Sequence, residues 1–252
     1  MTHAAEWGHW YFKDGKPAFE VPSADGKKMV EPDIRHARKI GLLPSVTTII
    51  REAAKPGLER WKIQQGILAA LTLPRSDGEP LDAFAERAMR DSQEQAKMAA
   101  ERGTAIHAAI QGHYEGIQPD PDLWPHIKGA IEAVTDKYRT QRWKPEQSFA
   151  SLLGFGGKVD LSAPDLVLDF KTKEFYDTEK KLAWDEQCIQ LSAYREGLGM
   201  PAATCANVFV STTVPGLVHV HEWTDDELQR GWKMFRALLY YFYARTGLKR
   251  EN

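Results

Sequence analysis

Hydrophobic residues recur every three or four positions over much of the first half of the chain. This spacing is typical of amphipathic helices, and glycine, proline and short polar stretches mark where one helix ends and the next begins. Ahead of the helices, alternation around a Lys-Asp-Gly-Lys turn favours a short β-hairpin at 9–21. We predict helices from about Asp33 to Gly41, from Ser45 to before Pro56, over 58–73, over 80–116 with a break or kink near Gly103, and over 122–142.

The pattern changes after residue 142, where short β-rich runs replace the helical period. We predict three short strands between Pro145 and Lys171, a helix at about 178–198, strands at 204–213 and 216–223, and a final helix from Thr224, where Thr-Asp-Asp-Glu can form a capping box. Helices followed by a sheet framed by helices predict an α/β (α+β) fold with a helical N-terminal half. We treat 1–252 as one domain, with a mainly helical part at 1–142, a sheet core at 143–223 and a C-terminal helix at 224–252.

Composition narrows the class of protein. A chain of 252 residues with 42% hydrophobic residues can bury a sizeable core. It contains no run of eighteen apolar residues and does not start like a signal peptide, so we expect a soluble protein that is neither secreted nor bound to a membrane. Its two cysteines, Cys188 and Cys205, exclude a disulfide framework, a four-thiolate zinc site and an iron–sulfur cluster, and they favour a cytoplasmic location.

Charge gives a local signal only. The net charge of −2 supplies no general attraction to nucleic acid. Between Arg35 and Lys62, however, seven Lys/Arg against two Glu leave a local charge of +5. Such a segment is either an ordinary solvated helical face or a surface that contacts phosphates.

The segment GGKVDLSAPDLVLDFKTK, residues 156–173, places acids within two predicted strands. Alternation along a strand puts Asp169 and Lys171 on one face, and it predicts that Val159 and Leu161 both point away from Asp160. With Pro164-Asp165 as the tip of a tight hairpin, residues whose numbers sum to 329 are opposite one another, which pairs Asp160 with Asp169.

Two opposed carboxylates repel and need a compensating positive charge. A divalent cation held by Asp160 and Asp169 fits best, and oxygen ligands suit Mg²⁺ or Mn²⁺. Lys171 would then lie beside the metal-bound water, where it can orient the nucleophile or help to deprotonate it. The alternative is an ordinary salt-bridge cluster of Asp160, Asp169 and Lys171 at the end of a strand.

Two helices carry further candidates. Gln187, Gln190 and Tyr194 lie at positions i, i+3 and i+7 of the helix after the acidic strand, and therefore on one side of it. His107 lies one turn into the segment that begins with Gly103. Each has an ordinary structural explanation alone, but together with the acids they form an ordered set.

That set reads GTAIH at 103–107, GKVD at 157–160, DFK at 169–171 and QLSAY at 190–194. It resembles the RecB-type branch of the PD-(D/E)XK nuclease superfamily. The segment LPSVTTII at 43–50 also resembles an N-terminal element of mitochondrial genome maintenance exonuclease and related phage exonucleases. The resemblance implies a restriction-endonuclease-like fold, with a central mixed sheet flanked by helices.

The resemblance also implies roles for individual residues. Asp160, Asp169 and the Phe170 carbonyl would bind Mg²⁺ or Mn²⁺, with His107 as a further ligand. Lys171 would assist the attacking water, and Gln190 and Tyr194 would position DNA or the lysine. Glu146, in the preceding strand, is a candidate ligand, although a surface acid at the strand edge is an equal interpretation.

The implied activity is a metal-dependent DNA exonuclease of phage-type recombination, repair or DNA processing. No Gly-x-x-x-x-Gly-Lys-Ser/Thr motif is present, so a helicase, like a single-strand annealing protein, would be a separate partner. The alternatives are a catalytically silent DNA-binding module, a hydrolase of another phosphoester and a structural protein with salt-bridged acids. The residues expected to contact DNA are Ser45, Thr47, Thr48, Arg51, Arg102, Thr104, Lys158, Lys173 and Gln187.

Overall fold

The computed structural model describes residues 10–139, 142–177 and 181–249, without the side chains of residues 95, 96 and 99. The helices are α1 (Ile34–Ile40), α2 (Val46–Ile50), α3 (Pro56–Thr72), α4 (Leu81–Tyr114), α5 (Trp124–Tyr138), α6 (Asp185–Gly197) and α7 (Asp225–Thr246). The strands are β1 (Trp10–Tyr11), β2 (Val21–Pro22), β3 (Met29–Val30), β4 (Leu43–Pro44), β5 (Lys144–Ser151), β6 (Phe155–Ala163), β7 (Leu166–Lys173), β8 (Thr204–Ser211) and β9 (Val218–Trp223).

A five-stranded sheet in the order β5-β6-β7-β8-β9 forms the centre of the molecule. Strands β7 and β8 are parallel, and the other neighbouring pairs are antiparallel. A parallel pair needs a long crossover, which here contains α6. The predicted fold class, a mixed sheet flanked by helices, is confirmed. The division into one domain with three parts stays a prediction.

Each face of the sheet is buried under helices. On one face, Val167 and Phe209 pack with Leu191 of α6 and Phe235 of α7, and we call this cluster the α6/α7 core. On the other face, the α4/α5 core joins sheet residues to both helices and contains Ile106, Ile110, Ile127, Leu168 and Val208. Successive residues of β7 and β8 alternate between the two cores, as strand geometry requires.

The N-terminal segments pack along the edge of this sheet and differ in part from prediction. The predicted turn is present, since the Phe12 N–H donates to the Lys16 carbonyl at 2.9 Å, but β1 takes β4 as its strand partner. Helix α2 starts at the predicted cap, where Ser45 accepts from the Thr48 N–H, but it ends at Ile50 and not near Pro56. Hydrogen-bonded turns replace the helix there, with the Glu52 N–H donating to the Ile49 carbonyl.

The predicted break near Gly103 is wrong, because α4 continues through this residue to Tyr114. Gly103 serves a close approach between elements: a Cβ atom at this position would lie 2.6 Å from the Thr172 Oγ1 atom of β7. A glycine that lets a helix approach a strand cannot be told from a helix breaker by sequence pattern alone.

Two other helices are shorter than predicted. Helix α6 begins at Asp185, after extended backbone at Trp184, and not at about 178; residues 178–180 lie outside the described residues. Helix α5 ends at Tyr138 because Arg139 adopts a left-handed conformation with φ of 50°, and residues 140 and 141 also lie outside the described part. The final helix is as predicted, with Thr224 and Glu227 forming the capping box.

Helix α3 packs chiefly on α4 and buries only Ala69 of its own residues. Its exposed large apolar side chains are Leu58, Trp61, Ile63, Ile67, Leu68 and Leu71. Among the described residues, no helix has both the length and the apolar character needed to cross a membrane.

Candidate functional site

The site forms where β6 parts from β7. The two strands pair from Ala163 opposite Leu166 to Leu161 opposite Leu168, and these pairs have the predicted sum of 329. The ladder between β6 and β7 stops there, so the predicted pairing of Asp160 with Asp169 is wrong. Instead, the Asp160 Oδ2 atom accepts a hydrogen bond of 2.7 Å from the Phe170 N–H. The carboxylate of Asp160 therefore lies in the gap between the strands.

A break in side-chain alternation at Asp160 accompanies this gap. Val159 packs in the α6/α7 core and Leu161 in the α4/α5 core, so the prediction that both point the same way is wrong. The partner strand is distorted at the same level: Glu146 of β5 has φ of 51°, and the recorded pairs pass from Pro145–Leu161 to Gln147–Val159. Such local irregularity in a ladder re-aims side chains near functional sites.

His107 reaches the gap from α4. Its Nε2 atom lies 3.0 Å from the Asp160 Oδ2 atom. Burial alone lowers the pKa of His107, but the charge and hydrogen bond of Asp160 and the charge of Asp169 together outweigh it, so the pKa is raised. Burial in turn raises the pKa of Asp160, but the charge and hydrogen bond of His107, the charge of Lys171 and the Phe170 N–H together lower it. His107 and Asp160 thus stabilise each other's charged forms.

Asp169 lies on the α6/α7 side of the gap and its side chain is 1% exposed. Its carboxylate accepts hydrogen bonds of 2.7 Å from the Lys171 ammonium and 2.7 Å from the Asn207 Nδ2 atom. Burial raises the pKa of Asp169 to about 6; the charge of Lys171 opposes this rise and that of Asp160 adds to it. Burial lowers the pKa of Lys171, but the two aspartates outweigh it and raise the pKa, so Lys171 is charged at neutral pH.

A second ion pair lines the cleft next to Asp160. The Lys158 ammonium contacts the Glu146 carboxylate, and the side chains are 22% and 12% exposed. Burial raises the pKa of Glu146, although Lys158 opposes this effect. With the acids ionised, three carboxylates face two ammonium groups, which leaves one excess negative charge before His107 is counted.

Helix α6 supplies the opposite wall. The Gln190 Nε2 atom donates to the Tyr194 hydroxyl at 2.8 Å, and both side chains are buried. Burial raises the pKa of Tyr194 well above its usual value, and the charges of Asp169 and Asp160 add to this. Tyr194 is therefore a neutral hydrogen-bonding group beside the acids.

Together these groups line a cleft that is partly open to solvent. Predicted site residues in its wall are Ser45, Thr47, His107, Glu146, Lys158, Asp160, Asp169, Lys171, Gln190 and Tyr194. Sequence analysis missed Tyr11, Val46, Gln111 and Gly157. Gln111 lies one helical turn after His107, a spacing that could have indicated it. The position of Tyr11 in the cleft wall depends on the pairing of β1 with β4, which no local sequence pattern predicts.

Other predicted DNA contacts lie outside the cleft wall, and they are Thr48, Arg51, Arg102, Thr104, Lys173 and Gln187. Five of these have partners within the fold. The Thr48 hydroxyl accepts from the Ser45 hydroxyl at 2.9 Å, and the Thr104 hydroxyl donates to the Ala100 carbonyl at 3.0 Å. Arg102 Nη2 lies 3.2 Å from His126 Nε2, Lys173 donates to the Leu182 carbonyl at 2.7 Å, and buried Gln187 accepts from the Trp184 N–H at 2.8 Å. Structural contacts thus account for these side chains without DNA.

The cleft offers few side chains that could bind a metal ion directly. Among residues 10–139, 142–177 and 181–249, no three His, Cys, Asp or Glu side chains are arranged to hold a metal by themselves. Mg²⁺ commonly takes only one or two carboxylates, with water and substrate oxygens completing its shell. Asp160 and Asp169 meet that need, and the Phe170 carbonyl points into the same gap because the N–H and C=O of a strand residue face the same neighbour. The residues therefore fit a hard divalent cation bound through few protein ligands.

No protein-family model and no curated protein matches the chain. Among solved structures, it is similar to that of a "putative exonuclease" from Eubacterium rectale, with 15% identity, coverage of 59% of this chain and 69% of that one, and a TM-score of 0.39. A second similar structure, of the protein SSO0001, has 16% identity, coverage of 46% of this chain and 59% of that one, and a TM-score of 0.28. The chain thus spans under two thirds of the length of SSO0001. Likeness this distant carries no argument about activity.

Proposed function

We propose that this protein is a Mg²⁺- or Mn²⁺-dependent deoxyribonuclease of the RecB-type PD-(D/E)XK superfamily, acting as an exonuclease on DNA ends. One observation carries the proposal. Asp160, Asp169, Lys171 and His107 converge from β6, β7 and α4 on a single gap in the sheet. Buried ion pairs contribute little stability compared with apolar packing, and groups with shifted pKa values cluster at functional sites.

The cleft residues would have separate roles in cation binding and in phosphodiester hydrolysis. Asp160, Asp169 and the Phe170 carbonyl would hold the cation, which when bound activates water and neutralises charge on the transferring phosphoryl group. His107 holds the Asp160 carboxylate by its hydrogen bond of 3.0 Å. Lys171, whose ammonium contacts the Asp169 carboxylate, orients the attacking water or a phosphate oxygen, or helps to deprotonate that water.

DNA would enter along the wall formed by α2 and α6. The hydroxyl of Thr47 and the ammonium of Lys158 line the cleft and can contact backbone phosphates. Such contacts position a duplex or a single strand without reading its sequence. The proposed substrates are linear DNA ends, and an annealing protein or helicase would act as a separate chain.

The test is a time course on end-labelled linear duplex, single-stranded and closed circular DNA with Mg²⁺, Mn²⁺ or EDTA. Lys171→Met is compared with Lys128→Met, which removes a lysine that is 56% exposed on α5. We expect metal-dependent loss of linear but not circular DNA, a decrease of about 10²–10³ in rate for Lys171→Met, and wild-type rates for Lys128→Met.

Three results would contradict the proposal. Equal cleavage by Lys171→Met and wild type would remove the lysine and its acids from the reaction. Preferential hydrolysis of small phosphoesters would replace DNA as substrate, while DNA bound but not cut would favour a silent binding module.

A further inference from the structure

A hydrogen-bonded chain of three buried side chains runs from the cleft to the edge of the sheet. The Asn207 Nδ2 atom donates to the Asp169 Oδ2 atom at 2.7 Å, and the Trp223 Nε1 atom donates to the Asn207 Oδ1 atom at 2.8 Å. Asn207 is fully buried and Trp223 is 8% exposed. Neither residue lines the cleft, and neither was predicted from the sequence.

The sheet register produces this chain. Asp169 of β7 lies opposite Asn207 of β8 in the parallel pair, and Trp223 of β9 lies two residues beyond His221, the antiparallel partner of Asn207. Residues two apart on a strand share a face, so the three side chains extend across the same side of the sheet. The His221 and Trp223 rings pack edge to face with centroids 4.4 Å apart, which restrains the indole.

The indole fixes the direction of the amide. An indole N–H can only donate, whereas an asparagine amide can present either its oxygen or its nitrogen. Because Trp223 donates to Asn207, the amide oxygen must face Trp223 and the amide nitrogen must face Asp169. A flipped amide would set its oxygen against the carboxylate and leave two buried donors facing each other.

We propose that Asn207 is a positioning residue of the cation site and that Trp223 determines its orientation, an inference that rests on the proposed nuclease function. Asn207 holds one carboxylate oxygen of Asp169 with a neutral donor, so it orients the acid without adding positive charge that would repel a cation. Lys171 alone cannot do this, because its ammonium neutralises the acid that it contacts. Groups hydrogen-bonded to metal ligands typically contribute about 10–100-fold to metal affinity.

The test measures Mn²⁺ affinity by electron paramagnetic resonance, without DNA, in Trp223→Phe, Asn207→Leu and Trp232→Phe. Trp232→Phe is the matched control, since Trp232 packs in the same core, stacked on Phe235, with no bond to Asn207. We expect Asn207→Leu to weaken Mn²⁺ binding by about 10–100-fold. Trp223→Phe should weaken it by several-fold, because the amide can then flip, and Trp232→Phe should not.

A second measurement uses nuclear magnetic resonance to monitor the hydrogen bond from Trp223 to Asn207. The indole N–H resonance of Trp223, identified by its absence in Trp223→Phe, is expected to shift on titration with Mg²⁺ in the wild type and to stay fixed in Asp169→Asn. A Trp223→Phe protein that melts as a folded protein and binds Mn²⁺ like the wild type would overturn the positioning role while leaving the proposed function intact. A wild type that binds no Mn²⁺ would overturn both.

Discussion

Each of two lysines in the cleft stands beside one carboxylate, and the two ion pairs have different surroundings. Lys171 contacts Asp169, which also has a neutral donor in Asn207. Lys158 contacts Glu146, a residue with left-handed backbone in the distorted strand. Removing one partner of a shielded pair leaves a charge without compensation, whereas removing both is far less costly.

We therefore expect Lys158→Met to lower the free energy of unfolding by about 1–3 kcal/mol, because the partly buried Glu146 carboxylate then has no positive partner. The double variant Lys158→Met/Glu146→Gln should recover most of that loss. Urea unfolding of the wild type, both single variants and the double variant measures the coupling. A double variant as unstable as the sum of the singles would show that the two charges act independently.

At the scale of elements, the site depends on how closely α4 approaches β7. Gly103 lies against Thr172, one residue beyond Lys171, and His107, which contacts Asp160, is one helical turn further along α4. The sequence pattern predicted both α4 and β7, but it predicted a helix break or kink at Gly103. Helix propensity carries no information about contacts with other elements of the fold. Packing between elements, and not local preference, determines the residue here.

Gly103→Ala is expected to lower the free energy of unfolding by about 1–3 kcal/mol, since its Cβ atom would overlap Thr172. In a Thr172→Ala background the same change should be neutral or stabilising by up to about 1 kcal/mol, because alanine is the better helix former. Thermal unfolding of the four proteins measures this. Destabilisation of equal size in both backgrounds would contradict the close-approach explanation.

The start of α7 supplies an independent prediction at the same scale. Thr224 accepts from the Glu227 N–H, and the Glu227 carboxylate accepts from the Thr224 N–H at 2.9 Å. Thr224→Ala should cost about 1 kcal/mol in the free energy of unfolding, while Thr224→Ser, which keeps the hydroxyl, should cost little. Equal losses in the two variants, measured by urea unfolding, would show that the cap does not stabilise the helix.

At the scale of the whole molecule, the two cores hold the sheet while α3 contributes little burial. Ile110 of α4 is fully buried, whereas Ile67 of α3 is 55% exposed. Ile110→Ala should lower the free energy of unfolding by about 2–5 kcal/mol, and Ile67→Ala by less than about 0.5 kcal/mol. Urea unfolding of the matched pair decides this; comparable losses would mean that Ile67 is covered in solution.

The fold class could be predicted because hydrophobic periodicity is a local property, whereas Asp160, Asp169, Lys171 and His107 were grouped by the order of short motifs along the chain. The sequence could not predict the gap at Asp160, which arises from a break in alternation shared by two strands. The role of Asn207 could not be predicted either, because only the sheet register brings its partner Trp223 close to it. One signal was present: asparagine is rare in strands, and its place in the apolar run TCANVFVS marks a buried polar group that needs partners.

Helix α3 packs chiefly on α4, and this affects which part of the molecule unfolds most easily. A helix with one main neighbour can separate from it and unfold while the sheet and its two cores stay intact, so α3 should open at a lower free energy than that of global unfolding. In native-state hydrogen exchange, the amides of α3 should exchange with a lower opening free energy than those of β7 and β8. Opening would also free the adjoining half of α4, so the helix that carries His107 would be firmly held at one end only.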